Sequence, residues 1–248
     1  MILKKWEDIP DSIKNEYTET YYRKLEKKKM SLILKRIFDV VFASILLVIL
    51  SPVLLILAIG IKIDSKGPVF YRQERVTQYN KTFKIFKFRT MVKNADKSGS
   101  LVTVQGDTRI TKVGKIIRKY RLDEFPQLFN VITGEMSFVG TRPEVRKYVD
   151  KYTDEMKATL LMTAGITSLA SIKFKDEDEI IEKYTNKKGK NDEKEIVAVG
   201  TSLNNNNNLN RKIQLDKTKV RTVDEAYIEE VLPQKMIYNL EYIEKFNI

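Results

Sequence analysis

An uncharged apolar run in the first quarter of the chain constrains the fold more than any other feature. Val40 to Ile61 gives 22 consecutive residues without a charge, and about 20 such residues suffice for a helix to traverse the bilayer core. Upstream, Glu7, Asp8 and Pro10 lie where a signal peptide would be apolar. We expect a membrane helix over residues 31–62, preceded over residues 1–30 by a polar, basic extension that is either a surface helix or a loose segment.

Positive charges flank this run on both sides. Basic residues concentrate on the cytoplasmic flank of a spanning helix, yet here they both precede and follow the run (Lys27, Lys28, Lys29, Lys35 and Arg36; Lys62, Lys66, Arg72 and Arg75). At its centre Ser51 precedes Pro52, which removes a helical hydrogen bond and favours a bend; the Ser51 hydroxyl is a candidate partner for a freed carbonyl. These features favour a re-entrant helix broken at Ser51 and Pro52, and they leave an ordinary kinked transmembrane helix open as the alternative.

Two charged residues stand just before the run. Arg36 and Asp39 are three residues apart, a spacing at which side chains share one helix face. We expect them to pair and to anchor the helix at the headgroups, with a solvated surface pair as the alternative.

The composition excludes several kinds of active site. The 248 residues include neither cysteine nor histidine, so thiolate zinc sites, disulfides and histidine-activated nucleophiles are ruled out. Forty-five Lys and Arg against 33 Asp and Glu give a net charge of +12, which favours anionic partners without choosing among them. An enzyme of this composition has to work with carboxylates, Lys, Tyr, hydroxyls or a metal held by oxygen.

A short hairpin is expected after the apolar run. "VFYRQERV" is rich in strand-forming residues, and "KTFKIFKFRTM" alternates, with Phe83 and Ile85 on one face and basic side chains on the other (Lys84, Lys87 and Arg89). The turn falls near Tyr79 and Asn80. On this pattern alone, a hairpin with a solvated basic face is the favoured interpretation.

Two adjacent acids, Asp123 and Glu124, follow a basic helix. Helical spacing of apolar residues predicts that helix over residues 110–120, and Pro126 starts a second helix that Gly134 closes. Acids at such a junction are commonly only capping residues. Downstream, however, "VGTRPEV" presents Arg142 in a rigid polar turn suited to phosphate. Carboxylates bracketed by cations suit phosphoryl chemistry in which Mg²⁺ shields the repulsion between anions.

Several stretches, in unbroken order over residues 35–145, resemble the bacterial sugar transferase family, the monotopic phosphoglycosyl transferases that load polyprenyl phosphate with a phosphosugar. They are "KRIFDVVFA", the central "SP", "GPVFYRQERV", "FKIFKFRTM", "DTRITKVGKIIRKYRLDEFPQLFNV" and "GEMSFVGTRPE". Taken singly, only "LDEFPQLFNV" is specific. The order of the whole set makes the resemblance strong.

The resemblance implies a fold and a mechanism. The fold is α+β and mostly helical, with one re-entrant membrane helix and a small catalytic domain with a short hairpin on the cytoplasmic face of the bacterial plasma membrane. Asp123 is then the nucleophile that takes a sugar phosphate from a UDP-sugar, releases UMP and passes the sugar phosphate to undecaprenyl phosphate. Glu124 belongs to the Mg²⁺ site, and four cations hold phosphates: Lys87, Arg118 and Arg142, with Arg89 a weaker addition.

The chain departs from the family pattern beyond the dyad. Thr141 replaces a proline in "GTRP", and Ala164 and Ser168 replace the proline and second glycine of a Pro-Gly-Ile-Thr-Gly segment. We divide the chain after the membrane helix into a catalytic core (63–150) and a C-terminal region (151–248), whose residues 186–218 form a polar, Asn-rich insertion expected to be disordered.

Three function classes stay open at this stage. The first is the transferase, which acts at the lipid bilayer on an unidentified UDP-sugar, as a monomer or a homodimer. The second is a catalytically weakened membrane scaffold of the same fold, which the departures suggest and the intact dyad argues against. The third is a basic nucleic-acid binder, which we set aside because no nucleic-acid motif occurs and anionic lipid explains the charge.

Overall fold

The computed structural model describes residues 3–95, 107–174 and 222–247. The fold is mostly helical with a small β content. The helices are α1 (Glu16–Glu26), α2 (Lys29–Asp64), α3 (Lys112–Lys119), α4 (Gln127–Thr133), α5 (Arg146–Val149), α6 (Asp154–Lys157), α7 (Leu169–Lys173), α8 (Val223–Ala226) and α9 (Leu232–Glu244); the strands are β1 (Phe70–Val76), β2 (Thr82–Phe88), β3 (Met136–Val139) and β4 (Ala164–Thr167). A π-helical turn, Tyr227–Val231, joins α8 to α9, and the Asn-rich stretch lies outside the described residues.

The long helix α2 has two different faces. Its 36 residues extend over about 54 Å. Along one face, residues at helical spacing pack on the rest of the protein from end to end (Leu32, Asp39, Ala43, Leu46, Leu50, Leu54, Leu57 and Ile61). The other face is apolar and exposed (Leu34, Ile37, Phe38, Val41, Phe42, Ile45, Val48, Ile49, Val53, Ile56, Ile59 and Ile63). Among the described residues, α2 is the one helix long and apolar enough to cross a membrane.

The proline at the centre of α2 does not interrupt the helix. The helix runs through Ser51 and Pro52 to Asp64. Pro52 has no N–H to offer the carbonyl of Val48 four residues earlier, and the Ser51 hydroxyl donates to that carbonyl at 2.8 Å. The helix is therefore continuous at Pro52, and the Ser51 hydroxyl supplies the hydrogen bond that Pro52 cannot make. The re-entrant path stays a prediction.

Arg36 and Asp39 do not form the predicted headgroup pair. The Arg36 guanidinium donates to the carbonyls of Val131 (2.5 Å) and Ile132 (2.9 Å) at the end of α4, where a helix leaves acceptors unpaired. Asp39 is 1% exposed and accepts from Lys35 Nζ (3.0 Å) and from Ser137 Oγ (2.7 Å). Both residues fasten α2 to the protein, and a headgroup contact of Arg36 stays a prediction.

The hairpin and its turn form as predicted. β1 and β2 pair antiparallel from Phe70 opposite Phe88 to Val76 opposite Thr82, and Tyr79 and Asn80 both have φ near 60° in the turn. The prediction of a separate basic face is wrong. Phe83, Ile85 and Lys87 share a face because strand side chains alternate, and Phe88 is buried from the opposite face.

A second, smaller sheet and the N-terminal residues complete the fold. Gly134 ends α4 at φ 88°, as expected, and leads into β3, which pairs in parallel with β4.

The loose-segment interpretation of the N-terminus is wrong, because Ile13, Tyr22 and Leu25 are buried in the main core with side chains of α5 and α9. The surface-helix alternative describes α1 correctly.

We expect Asp39→Ala to destabilise the protein strongly. Removing the carboxylate leaves the mostly buried Lys35 ammonium without its counterion, and breaking a buried pair costs about 3–5 kcal/mol. Thermal unfolding in detergent measures the loss. The matched control is Asp11→Ala, whose carboxylate is 96% exposed beside Lys14. Equal melting temperatures for the two variants would contradict the role of Asp39 as the polar anchor of α2.

Candidate active site

A tight reversal of the chain presents the two acids. α3 starts after Thr111, whose hydroxyl accepts from Gly114 N at 3.0 Å, and ends at Lys119. Arg121 then takes a left-handed conformation (φ 53°), which is uncommon outside glycine. One 3₁₀ turn, Leu122–Glu124, carries Asp123 and Glu124 before α4 begins. The acids therefore lie at the helix junction that the sequence predicts.

One ammonium group bridges the dyad. Lys87 Nζ lies 3.3 Å from Glu124 Oε1 and 3.7 Å from Asp123 Oδ2. The carboxylates are partly accessible, with 16% and 23% of the Asp123 and Glu124 side chains exposed. Lys87 reaches them because it lies on the inner face of β2. The basic residue that the alternation assigned to solvent is thus in contact with both acids.

The Asp123 carboxyl is held in an environment that disfavours its charge. Burial raises its pKa above the ordinary value; Lys87 opposes this, Glu124 adds to it, and Arg118 opposes it more weakly. The arrangement suits a nucleophile rather than a structural ion pair.

Arg118 stands beside the dyad and is fixed from behind. Its Nε donates to the Thr90 hydroxyl at 2.8 Å, and burial lowers the pKa of its guanidinium while Asp123 and Asp107 raise it. Sequence reasoning did not single out Thr90, because a threonine at the end of a strand has no distinctive pattern.

Arg89 has a structural place. It is 6% exposed, and its guanidinium donates to Ser65 O (2.6 Å), Ser65 Oγ (2.8 Å) and Lys66 O (3.2 Å) just past the end of α2. Carbonyls at the C-terminus of a helix attract cations. In the structure Arg89 holds the C-terminal end of α2, and the phosphate-binding role that the sequence suggested stays a prediction.

Arg142 belongs to a second group of charges. Its Nη1 donates to Ser171 Oγ at 3.1 Å, and its charge helps to lower the pKa of the Arg75 guanidinium, after burial as the main cause. The pKa of Asp123 responds to Lys87, Glu124 and Arg118. The structure thus gathers Lys87 and Arg118 at the dyad and places Arg142 with Arg75.

The three departures from the family pattern are accommodated by hydrogen bonds. Ala164 N, which a proline would lack, donates to Thr77 Oγ1 at 3.1 Å. Ser168 caps α7 by accepting from Ser171 N, and Thr141 donates weakly to Thr159 O at 3.4 Å. Each of the three residues therefore has a hydrogen-bonded place in this structure.

The dyad fits a divalent cation that shares its ligands with a substrate. Within the described ranges no group of three acidic side chains gathers that would hold a metal by itself. Mg²⁺ is commonly held by one or two carboxylates together with substrate phosphate oxygens and water. Glu124 Oε1 accepts from Lys87 at 3.3 Å, and a carboxylate has a second oxygen that could bind a metal.

Comparison with known proteins identifies relatives of the region just described. The family model described as bacterial sugar transferase matches residues 30–194. An N-acetylgalactosaminephosphotransferase of Aeromonas hydrophila, named as acting with UDP-N-acetylgalactosamine and undecaprenyl phosphate, is 46% identical over 142 residues, 56% of this chain and 34% of that protein.

Two further relatives extend the comparison. A putative undecaprenyl-phosphate N-acetylgalactosaminyl 1-phosphate transferase of Bacillus subtilis is 42% identical over 131 residues, 53% of this chain and 73% of that protein. A UDP-glucose:undecaprenyl-phosphate glucose-1-phosphate transferase of Klebsiella pneumoniae is 37% identical over 158 residues, 62% of this chain and 34% of that protein. The chain spans about a third of the Aeromonas and Klebsiella proteins and most of the Bacillus one.

We predict that Asp123→Asn is more thermostable than wild type at pH 7. A carboxyl whose pKa is raised by folding keeps its proton better in the folded state, so its ionised form costs stability above the folded pKa. The gain should shrink as the pH falls towards the unfolded pKa, about 3.9. Each kcal/mol corresponds to about 2–4 °C in melting temperature for a chain of this size.

Unfolding scans at pH 7 and pH 4 test this, with the exposed Asp150 changed to Asn as control. A higher melting temperature for wild type than for Asp123→Asn at pH 7 would contradict the raised pKa of the Asp123 carboxyl.

Proposed function

This chain belongs to the bacterial sugar transferase family, and we propose that it transfers a sugar 1-phosphate from a UDP-sugar to undecaprenyl phosphate. The names of the relatives support the reaction class and the acceptor. The observation that carries the proposal is the position of Asp123, a mostly buried carboxylate with Lys87 and Arg118 beside it. Which sugar is transferred is left to experiment, since the relatives named above differ in it.

The proposed reaction has two displacements at one phosphorus atom. In the first, an Asp123 oxygen bonds to the sugar-proximal phosphorus while the bond to the other phosphate's bridging oxygen breaks, and UMP leaves with the electron pair. In the second, an oxygen of undecaprenyl phosphate bonds to that phosphorus and the bond to Asp123 breaks. The products are a lipid diphosphate sugar and the free carboxylate.

The cations explain how two anions can approach each other. Unit charges about 4 Å apart repel by about 4 kcal/mol at an effective dielectric constant of 20. The Lys87 ammonium lies within 3.7 Å of Asp123 Oδ2 and so offsets that repulsion without covering both oxygens. Arg118 adds a guanidinium fork of the kind that binds phosphate oxygens in pairs.

Glu124, assisted by Asp123 in the free enzyme, is the residue that would hold Mg²⁺. The ion would supply charge shielding for the diphosphate of the donor. Lys87 would then keep its contact with Glu124 Oε1, and the second carboxylate oxygen of Glu124 would face the metal.

The two faces of α2 support attachment to a single leaflet. One face packs on the protein over the whole length of the helix, so a helix standing across the bilayer would draw the polar hairpin and α3 into the lipid with it. Burying polar backbone and charges in hydrocarbon is costly. We propose that α2 enters the cytoplasmic leaflet with its exposed apolar face and that the active site stays at the membrane surface, where the acceptor phosphate lies.

We expect UMP release when the detergent-extracted protein meets undecaprenyl phosphate and its true donor from a panel of UDP-sugars. Asp123→Asn should reduce the rate by at least about 10³-fold, since an amide oxygen is a poor nucleophile towards phosphorus. Its membrane association should equal wild type because α2 is unchanged. UMP release by the variant at the wild-type rate would contradict the role of Asp123, and wild-type inactivity with every donor would favour a scaffold.

We also expect tags at both termini to resist an external protease in intact cells. A helix held in one leaflet leaves both ends on the cytoplasmic side, whereas a spanning helix puts them on opposite sides. Immunoblotting of each tag before and after cell permeabilisation measures this. Cleavage of one tag in sealed cells would replace the single-leaflet arrangement with a spanning helix.

A further inference from the structure

We propose that Thr90 is a positioning residue for the reaction, because its hydroxyl holds the Arg118 guanidinium in place to receive a donor phosphate. The inference rests on the proposed function and extends it to a residue to which the sequence analysis gave no role. It is carried by a side-chain hydrogen bond and by the backbone contacts that fix both partners.

The hydrogen bond leaves the useful end of Arg118 free. Thr90 is 6% exposed, and its Oγ1 accepts from Arg118 Nε at 2.8 Å. A guanidinium has five N–H donors, of which this bond uses one. Within the described part of the chain Arg118 makes no other hydrogen bond. The four N–H groups on its two terminal nitrogens therefore stay available for phosphate oxygens.

The backbone around Thr90 is clamped to the start of α3. Thr90 O accepts from Thr111 N at 3.0 Å, and the Thr111 hydroxyl caps the helix through Gly114 N. Gly114 lies so close that a Cβ there would be 2.1 Å from Thr90 O. Arg118 is one helical turn after Gly114 and so lies on the same face of α3. The close approach at Gly114 is what brings the Arg118 side chain over the Thr90 hydroxyl.

The bond also keeps Arg118 from collapsing onto the acids. Asp123 and Asp107 both attract its guanidinium, as their effect on its pKa shows, yet the described residues show no ion pair between Arg118 and either acid. Without the Thr90 acceptor, Arg118 is free to pair with Asp123. Such a pair would cover the attacking oxygen and remove the donors meant for phosphate. Thr90 thus separates the nucleophile from its neighbouring cation.

Thr90→Val and Thr90→Ser form a matched pair for the test. Valine removes the acceptor at nearly constant shape, whereas serine keeps it. A hydrogen bond to a charged group contributes about 1.5–3 kcal/mol, so valine should lower kcat/KM for UMP release by about 10- to 100-fold. The kcat/KM of Thr90→Ser should stay within about threefold of the wild-type value. In an Arg118→Lys background, adding Thr90→Val should lower kcat/KM by less than about threefold, because the effects of coupled residues are not additive.

Calorimetric binding of UDP supplies a readout that does not depend on turnover. Valine should weaken UDP binding by about the same 10- to 100-fold factor, and serine should restore it. Equal UDP affinity or equal kcat/KM for valine and wild type would overturn the inference, as would an undiminished valine effect in the lysine background.

The two proposals fail in different ways. If wild type binds UDP but releases no UMP with any donor, the proposed function fails, and the valine and serine affinities still decide the role of Thr90. If wild type does not bind UDP, both proposals are overturned.

Discussion

The proposed chemistry of this protein depends on the contact of one ammonium group with two carboxylates. Lys87 reduces the repulsion between Asp123 and Glu124 and leaves part of each carboxylate exposed. In the proposed reaction, an ion pair that covered Asp123 completely would block its attack, and without Lys87 two adjacent acids would repel a donor diphosphate. Burial sets the remaining balance by keeping the pKa of Asp123 raised.

The fold delivers the charges to that point from separate parts of the chain. β2 contributes Lys87, α3 contributes Arg118, and a left-handed residue at Arg121 turns the chain so that the acids follow within one 3₁₀ turn. α2 packs against α3 and α4, the helices that flank the acids. Arg36, which the sequence suggested as a headgroup anchor, and Arg89, which it suggested for phosphate binding, cap the C-terminal ends of α4 and α2. The membrane helix is thereby part of the scaffold that holds the active site.

Local patterns in the sequence predicted what local rules control. The hairpin turn at Tyr79 and Asn80, the helix end at Gly134 and the position of the acids at a helix junction follow from turn, cap and periodicity rules, and the structure has them. The face of Lys87 was mispredicted because Phe86 and Phe88 interrupt a simple apolar and basic alternation. Asp39 looked like a surface residue because its partner Ser137 is 98 residues away. Contacts of that kind depend on packing and are not written in any short stretch.

Intact-mass analysis of the purified protein mixed with its true UDP-sugar, with the lipid acceptor withheld, tests the central claim most directly. An oxygen of Asp123 esterified to phosphorus adds the mass of one sugar phosphate to wild type, and Asp123→Asn gains nothing under the same conditions. Release of UMP upon addition of acceptor, from a wild-type protein that never acquires that mass, would contradict the account.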